Sequence, residues 1–206
     1  MAKFCGNCGA QLGDNETFCG NCGAAVNSEP AANAAEVQSE NPAPSQEQPK
    51  LISILCKLYK ANKQCQAILD VEVCGASAEA PLIESCRKKI HAAFFGRQLS
   101  LKNARTVIND FRKASQNKES IADLMLYYVE CGVEFTNLYG DIDERFYSSL
   151  ESMFADFVMI LNSMENDSFY RRQSKRIRAV FEDTRNIGWG FSDEIARIYF
   201  DICFLT

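Results

Sequence analysis

Cys5, Cys8, Cys19 and Cys22 stand as two C-x2-C pairs separated by ten residues. Two cysteines with two residues between them can turn both sulfurs toward one point. A glycine behind the second, Gly9 and Gly23 here, permits the positive φ that aims backbone N–H groups at those sulfurs. Two such knuckles supply the four soft ligands of a tetrahedral site. Zinc suits that set because it is redox-inert and accepts tetrahedral sulfur, and a closed four-thiolate shell leaves no position for substrate water. The expectation is one structural Zn2+ per chain. A rubredoxin-like iron would use the same ligands, and visible absorbance separates the two because zinc is colourless.

The pairs belong to an internal duplication, in which the residues Phe4 to Ala10 recur unchanged from Phe18 to Ala24. The intervening ten residues can go out and back as a short hairpin turning at Gly13, Asp14 and Asn15, since about four extended residues each way reach only ~13 Å. Phe4, Leu12, Phe18 and Val26 offer a token core, so the metal must supply most of the folding free energy, roughly 10–16 kcal/mol in small zinc peptides. Residues 3–26 resemble the short zinc-ribbon domain that opens many prokaryotic proteins, with Phe-Cys-x-x-Cys-Gly-Ala units on either side of a polar turn. The resemblance implies a zinc-bound adaptor or docking module, with the activity set by whatever follows it. That family often places Pro after the first Cys of a knuckle. Gly6 and Gly20 stand there in this chain, which loosens the turn without threatening ligation.

Other candidate chemistry is sparse. Cys56, Cys65 and Cys74 are nine residues apart, and on one continuous helix neighbours would point to opposite faces while Cys56 and Cys74 would lie about 27 Å apart. With Cys86, Cys131 and Cys203 they read as small core residues. His91 is the only histidine, which excludes multi-histidine metal sites. Cys86 and His91 share a helix five residues apart, with no oxyanion device in sight. No phosphate-binding or dinucleotide fingerprint occurs, so nothing positive points to an enzyme.

Arg171, Arg172, Lys175, Arg176 and Arg178 form the densest basic run, a face able to meet phosphates or, more simply, a solvated helix surface balanced by acidic neighbours. Arg87, Lys88, Lys89, Arg97, Lys102 and Arg105 form a second, scattered group. Adjacent rings in Phe94-Phe95 and Tyr127-Tyr128 lie about 100° apart on a helix, which makes one of each pair a candidate interface residue. Trp189, between Gly188 and Gly190, reads as the plug of a helix junction.

These residues need elements to position them. The 206-residue chain is 47% hydrophobic and 24% charged with a net charge of -5, values of an ordinary globular protein that argue against whole-chain attraction to nucleic acid or anionic lipid. No secretory signal and no run of roughly 18 apolar residues occurs, so the expected location is cytoplasmic, where thiols stay reduced and clustered cysteines favour metal. Residues 26–49 carry Glu29, Glu36, Glu40 and Glu47 with no Lys or Arg. That composition predicts a disordered acidic linker between a ribbon at 1–25 and a domain at 50–206.

Beyond Pro81 there is no proline, and apolar residues recur at helical spacing, which predicts an all-α domain of about seven helices. Leu51, Leu55, Leu58, Cys65 and Leu69 would share a first long helix. Later stripes include Leu82 to Phe94, Leu101 to Phe111 capped by Ser100, Ile121 to Leu138 ended by Gly140, Phe146 to Leu161, Phe169 to Thr184 capped by Ser168, and Ile195 to Ile202 capped by Ser192. The expected function is that of a zinc-binding adaptor or protein-interaction protein whose partner is a protein and not a membrane. The alternative is a nucleic-acid-binding protein using the ribbon and the basic helix at 171–178. A second alternative is a helical enzyme.

Overall fold

A helix that buries one face needs an apolar stripe, a start signal and a stop signal, and the chain beyond residue 46 supplies all three repeatedly. The computed structural model describes residues 3–4, 10–12, 18 and 47–204, and the chain divides into two units, Met1–Glu47 and Gln48–Thr206. In the first unit, β1 (Lys3–Phe4) pairs antiparallel with β2 (Gln11–Leu12), in the register Lys3 to Leu12 and Phe4 to Gln11. This pairing closes the stretch between Phe4 and Gln11. The turn at 13–15, the four cysteines, Val26 and the acidic segment up to residue 46 lie outside the described residues. Phe4 and Phe18, expected in a token core, are 62% and 63% exposed.

The second unit is helical: α1 (Glu47–Ala61), α2 (Lys63–Cys74), α3 (Ala76–Phe95), α4 (Leu101–Ala114), α5 (Lys118–Tyr139), α6 (Glu144–Asn162), α7 (Ser168–Asp183) and α8 (Phe191–Phe200). Helix α5 is the centre. Twelve of its residues are buried, and α3, α4, α6 and α7 all pack on it. Gly132 marks its closest crossing, with α6, because a Cβ there would run into the Cδ atoms of Leu150. The core is aromatic as well as aliphatic. Phe94 meets Tyr128 edge-on at 5.1 Å, and Phe146 lies 5.9 Å from Phe135. The stripe Phe146, Leu150, Phe154, Phe157 and Leu161 is buried along its whole length, as 3.6-residue periodicity requires of a helix with one core face.

Caps explain most boundaries. The Ser100 hydroxyl accepts from the Asn103 N–H, the Asn117 amide oxygen from Glu119 and Ser120, and the Asp143 carboxylate from Phe146; each satisfies donors that a helix start leaves open. Gly140 ends α5 with a φ of 85°. Two expected caps differ. Ser168 is the first residue of α7, after Asp167, and α8 starts at Phe191 after Gly190, so Ser192 lies inside it. Pro49 is tolerated in the first turn of α1, where its missing N–H has no helical acceptor.

The largest departure is at Asn62. The expected first long helix is two helices, giving eight among the described residues instead of about seven. Asn62 adopts an extended conformation, and its side-chain oxygen accepts from the Gln64 N–H at 2.8 Å. An asparagine competes with the helix for its own backbone and so serves better as a cap than as an interior residue.

Candidate functional site

The break at Asn62 folds α1 back along α2. Tyr59 donates to Asp70 at 3.0 Å, although eleven residues of continuous helix would separate the two by about 16 Å. That hydrogen bond raises the Tyr59 pKa, since the carboxylate binds the phenol proton. On either side of it Leu55, Tyr59, Leu69 and Val73 line an open apolar groove of about 360 Å³. Cys56 and Cys74 line the same groove, which corrects the expectation of a 27 Å separation: the two positions lie on opposing helices, not one. Among the described residues, no three His, Cys, Asp or Glu side chains group as a metal site.

Above this groove α1 presents Leu51, Ile52, Ile54 and Leu58 to solvent. Leu51 is 57% exposed and Ile52 61%. The expected burial of Leu51, Leu55 and Leu58 therefore fails, because among the described residues α1 lies outside the closely packed pairs of helices. Sequence reasoning missed the exposed face since its period equals that of a buried one. The available signal was Asn62, a strong cap residue within the assumed helix.

The basic run of α7 points mainly into ion pairs. Arg171 bonds Asp167 at 2.6 Å and Arg172 bonds Glu119 at 2.5 Å. Arg176 reaches across to α5, to Asp123 at 2.6 Å and to both oxygens of Glu130 at 2.7 and 2.6 Å. Burial by itself would lower the Arg176 pKa, but the hydrogen bonds and charges of Glu130 and then Asp123 outweigh it and raise it. Lys175 and Arg178 remain exposed. Of the second basic group, Arg87 joins the same network, bonding Asp123 at 2.5 Å and covering the Tyr127 ring, while Arg105 turns to Ser149 at 3.0 Å.

Cys86 is buried and its thiol is pushed up by desolvation, whereas His91 is exposed against Phe95. No hydrogen bond among the described residues joins them. Cys131 is also buried, its thiol pushed up to about 12 by desolvation. Cys56, Cys74 and Cys203 are exposed and Cys65 is half-buried, so the core reading holds for Cys86 and Cys131 and fails for the first three. Tyr127 and Phe95 are half-buried against the core and are not free interface rings. Trp189 plugs nothing: it is 67% exposed with a φ of 61°, and its neighbours Ile187 and Phe191 fill the junction.

The first unit contributes the metal-binding chemistry. The pairing of Phe4 with Gln11 brings together the ends of the stretch holding Cys5 and Cys8, as a knuckle requires. The repeated C-x2-C donor set fits zinc. Residues 4–26 match the zinc-ribbon domain family. The matched span covers both cysteine pairs, and a zinc-ribbon domain implies zinc binding. No curated protein and no solved structure matches the chain. Among the described residues, no helix is long and apolar enough to cross a membrane.

Proposed function

We propose that this protein is a zinc-binding adaptor of the cytoplasm, in which the zinc ribbon is a scaffolded recognition knob and the helical unit binds protein through α1 and α2. In this reading Cys5, Cys8, Cys19 and Cys22 hold one Zn2+, and the metal stabilises the ribbon without doing chemistry. The observation that carries the protein-binding role is the apolar face of α1. Contiguous exposed apolar patches on soluble proteins mark interaction sites, and this one continues into the groove beside Leu69 and Val73. The nucleic-acid alternative is weaker. Arg171, Arg172 and Arg176 are each neutralised by a carboxylate, which leaves Lys175 and Arg178 as the exposed cations of that run.

The deciding experiment is affinity purification of the full chain beside two variants, Leu51→Glu/Leu58→Glu and Lys175→Glu/Arg178→Glu, with bound proteins identified by mass spectrometry. Protein partners lost only from the first variant are expected. Nucleic-acid binding that falls steeply with salt and disappears in the second variant would sink the adaptor reading.

A further inference from the structure

We infer that the cavity roofed by α2 over α3 and α4 binds a small carboxylate amphiphile, its apolar chain on the cavity floor and its carboxylate between Lys63 and Lys89.

Helix α2 packs on both α3 and α4, yet none of its residues is buried. A helix seated directly on its neighbours hides an apolar stripe. Beneath α2 there is instead a cavity of about 300 Å³, at the lower end of the roughly 300–1,000 Å³ of small-molecule sites. Its floor is apolar: Leu82 and Cys86 come from α3, and Val107, Phe111 and Ala114 from α4. An apolar cavity of about 150 Å³ holds benzene, and twice that room fits a chain of about eight carbons. The roof continues over a second cavity of about 590 Å³ along α2 and α3. Lys63, Ala67, Leu82 and Lys89 line both, so the two lysines stand where the apolar floor meets the wider opening.

Charge selects the head of the ligand. Lys63 and Lys89 are exposed, and among the described residues neither pairs with a carboxylate. Asp110 lines the same cavity, but it already accepts from Gln64 at 3.3 Å and from Lys113 at 3.1 Å. The Cys86 thiol is pushed up chiefly by desolvation, with the Lys89 charge opposing and Asp110 adding, which sets the Lys89 ammonium within reach of the floor. Two unpaired ammonium groups beside an apolar floor match an anionic end joined to an apolar chain, since a carboxylate can accept from both. A sugar phosphate or a nucleotide would set polar groups against that floor without partners. The cavity shares no lining residue with the groove between α1 and α2, so this site stands apart from the protein-binding reading.

Isothermal titration calorimetry of the zinc-loaded full chain with octanoate, octan-1-ol and octylammonium tests this. Octanoate should bind with a Kd below about 1 mM, octan-1-ol at least about tenfold more weakly, and octylammonium not detectably. Lys63→Met/Lys89→Met, which keeps the apolar stems, should reduce octanoate to the level of octan-1-ol. Lys88→Met, on the same helix but outside the cavity lining, should change nothing. Ala67→Leu, which fills the roof at little cost in helix propensity, should abolish binding of both with circular dichroism unchanged. Octanoate should also slow alkylation of Cys86 while leaving exposed Cys203 unaffected. Absence of octanoate binding up to about 10 mM, equal affinity for the alcohol, or a carboxylate preference that survives in Lys63→Met/Lys89→Met overturns the inference.

Discussion

Arg176 on α7 grips Glu130 on α5 with two parallel bonds, Nε to Oε1 at 2.7 Å and Nη2 to Oε2 at 2.6 Å. The fork geometry fixes how α7 lies on α5, and the remaining nitrogen, Nη1, holds Asp123. Arg176→Leu strands Glu130, while Asp123 keeps Arg87. The fold should lose about 1–2 kcal/mol, less than a fully buried pair would cost, because each partner keeps some solvent. Urea unfolding of Arg176→Leu beside Arg178→Leu checks it. Equal stability of the two variants would assign the pair no structural weight.

Gly132 lets α5 approach α6 against Leu150. Alanine gains about 1 kcal/mol of helix propensity but forces the Leu150 side chain out of a fully buried site, an overpacking cost of about 1–3 kcal/mol. Gly132→Ala should therefore be net destabilising, and less so in a Leu150→Val background. An additive double-mutant cycle would show that the two positions do not touch.

Trp189 sits in the left-handed region at a φ of 61° with its ring in solvent. A non-glycine residue there costs about 1–2 kcal/mol, and no burial offsets it. Trp189→Asn should raise stability by about 0.5–1 kcal/mol in denaturation followed by circular dichroism. Because Trp189 is the only tryptophan, wild-type fluorescence should already resemble free indole in the folded state.

Glu151 carries a carboxyl held above the usual range, chiefly by desolvation and then by the charges of Glu194 and Glu144. Folding therefore favours its protonated form, and the ionised form costs stability as pH rises above the unfolded value of about 4.3. Glu151→Gln should be more stable than wild type at pH 7. The difference should shrink as pH falls and vanish below that value. A gap that is constant with pH would point to packing instead of charge.

Thiol reactivity separates the cysteine classes. In zinc-loaded protein an alkylating reagent should modify Cys56, Cys74 and Cys203 quickly, and Cys86 and Cys131 slowly because they are buried with raised pKa values. Cys5, Cys8, Cys19 and Cys22 should stay protected until a chelator is added. Mass spectrometry reads each site, and labelling of those four that ignores the chelator would refute the ligand assignment.

What could be read from the chain without its fold was chemistry and periodicity confined to neighbours. The C-x2-C repeat points to a four-thiolate metal site because ligand type and spacing are local, and residues 4–26 match the zinc-ribbon domain family. The stripes of α4, α6 and α8 announce their buried faces because a helix repeats every 3.6 residues whatever surrounds it. Only tertiary structure decided which stripe found a core. Leu51, Leu55 and Leu58 have the same spacing as buried leucines, yet burial depends on a partner surface, and among the described residues no helix packs closely on α1. It also decided that Asn62 caps a new helix, that Cys56 and Cys74 line one groove, and that Arg176 pairs with carboxylates of α5. Each of these depends on residues distant in sequence, and spacing along one helix carries no information about what lies opposite it.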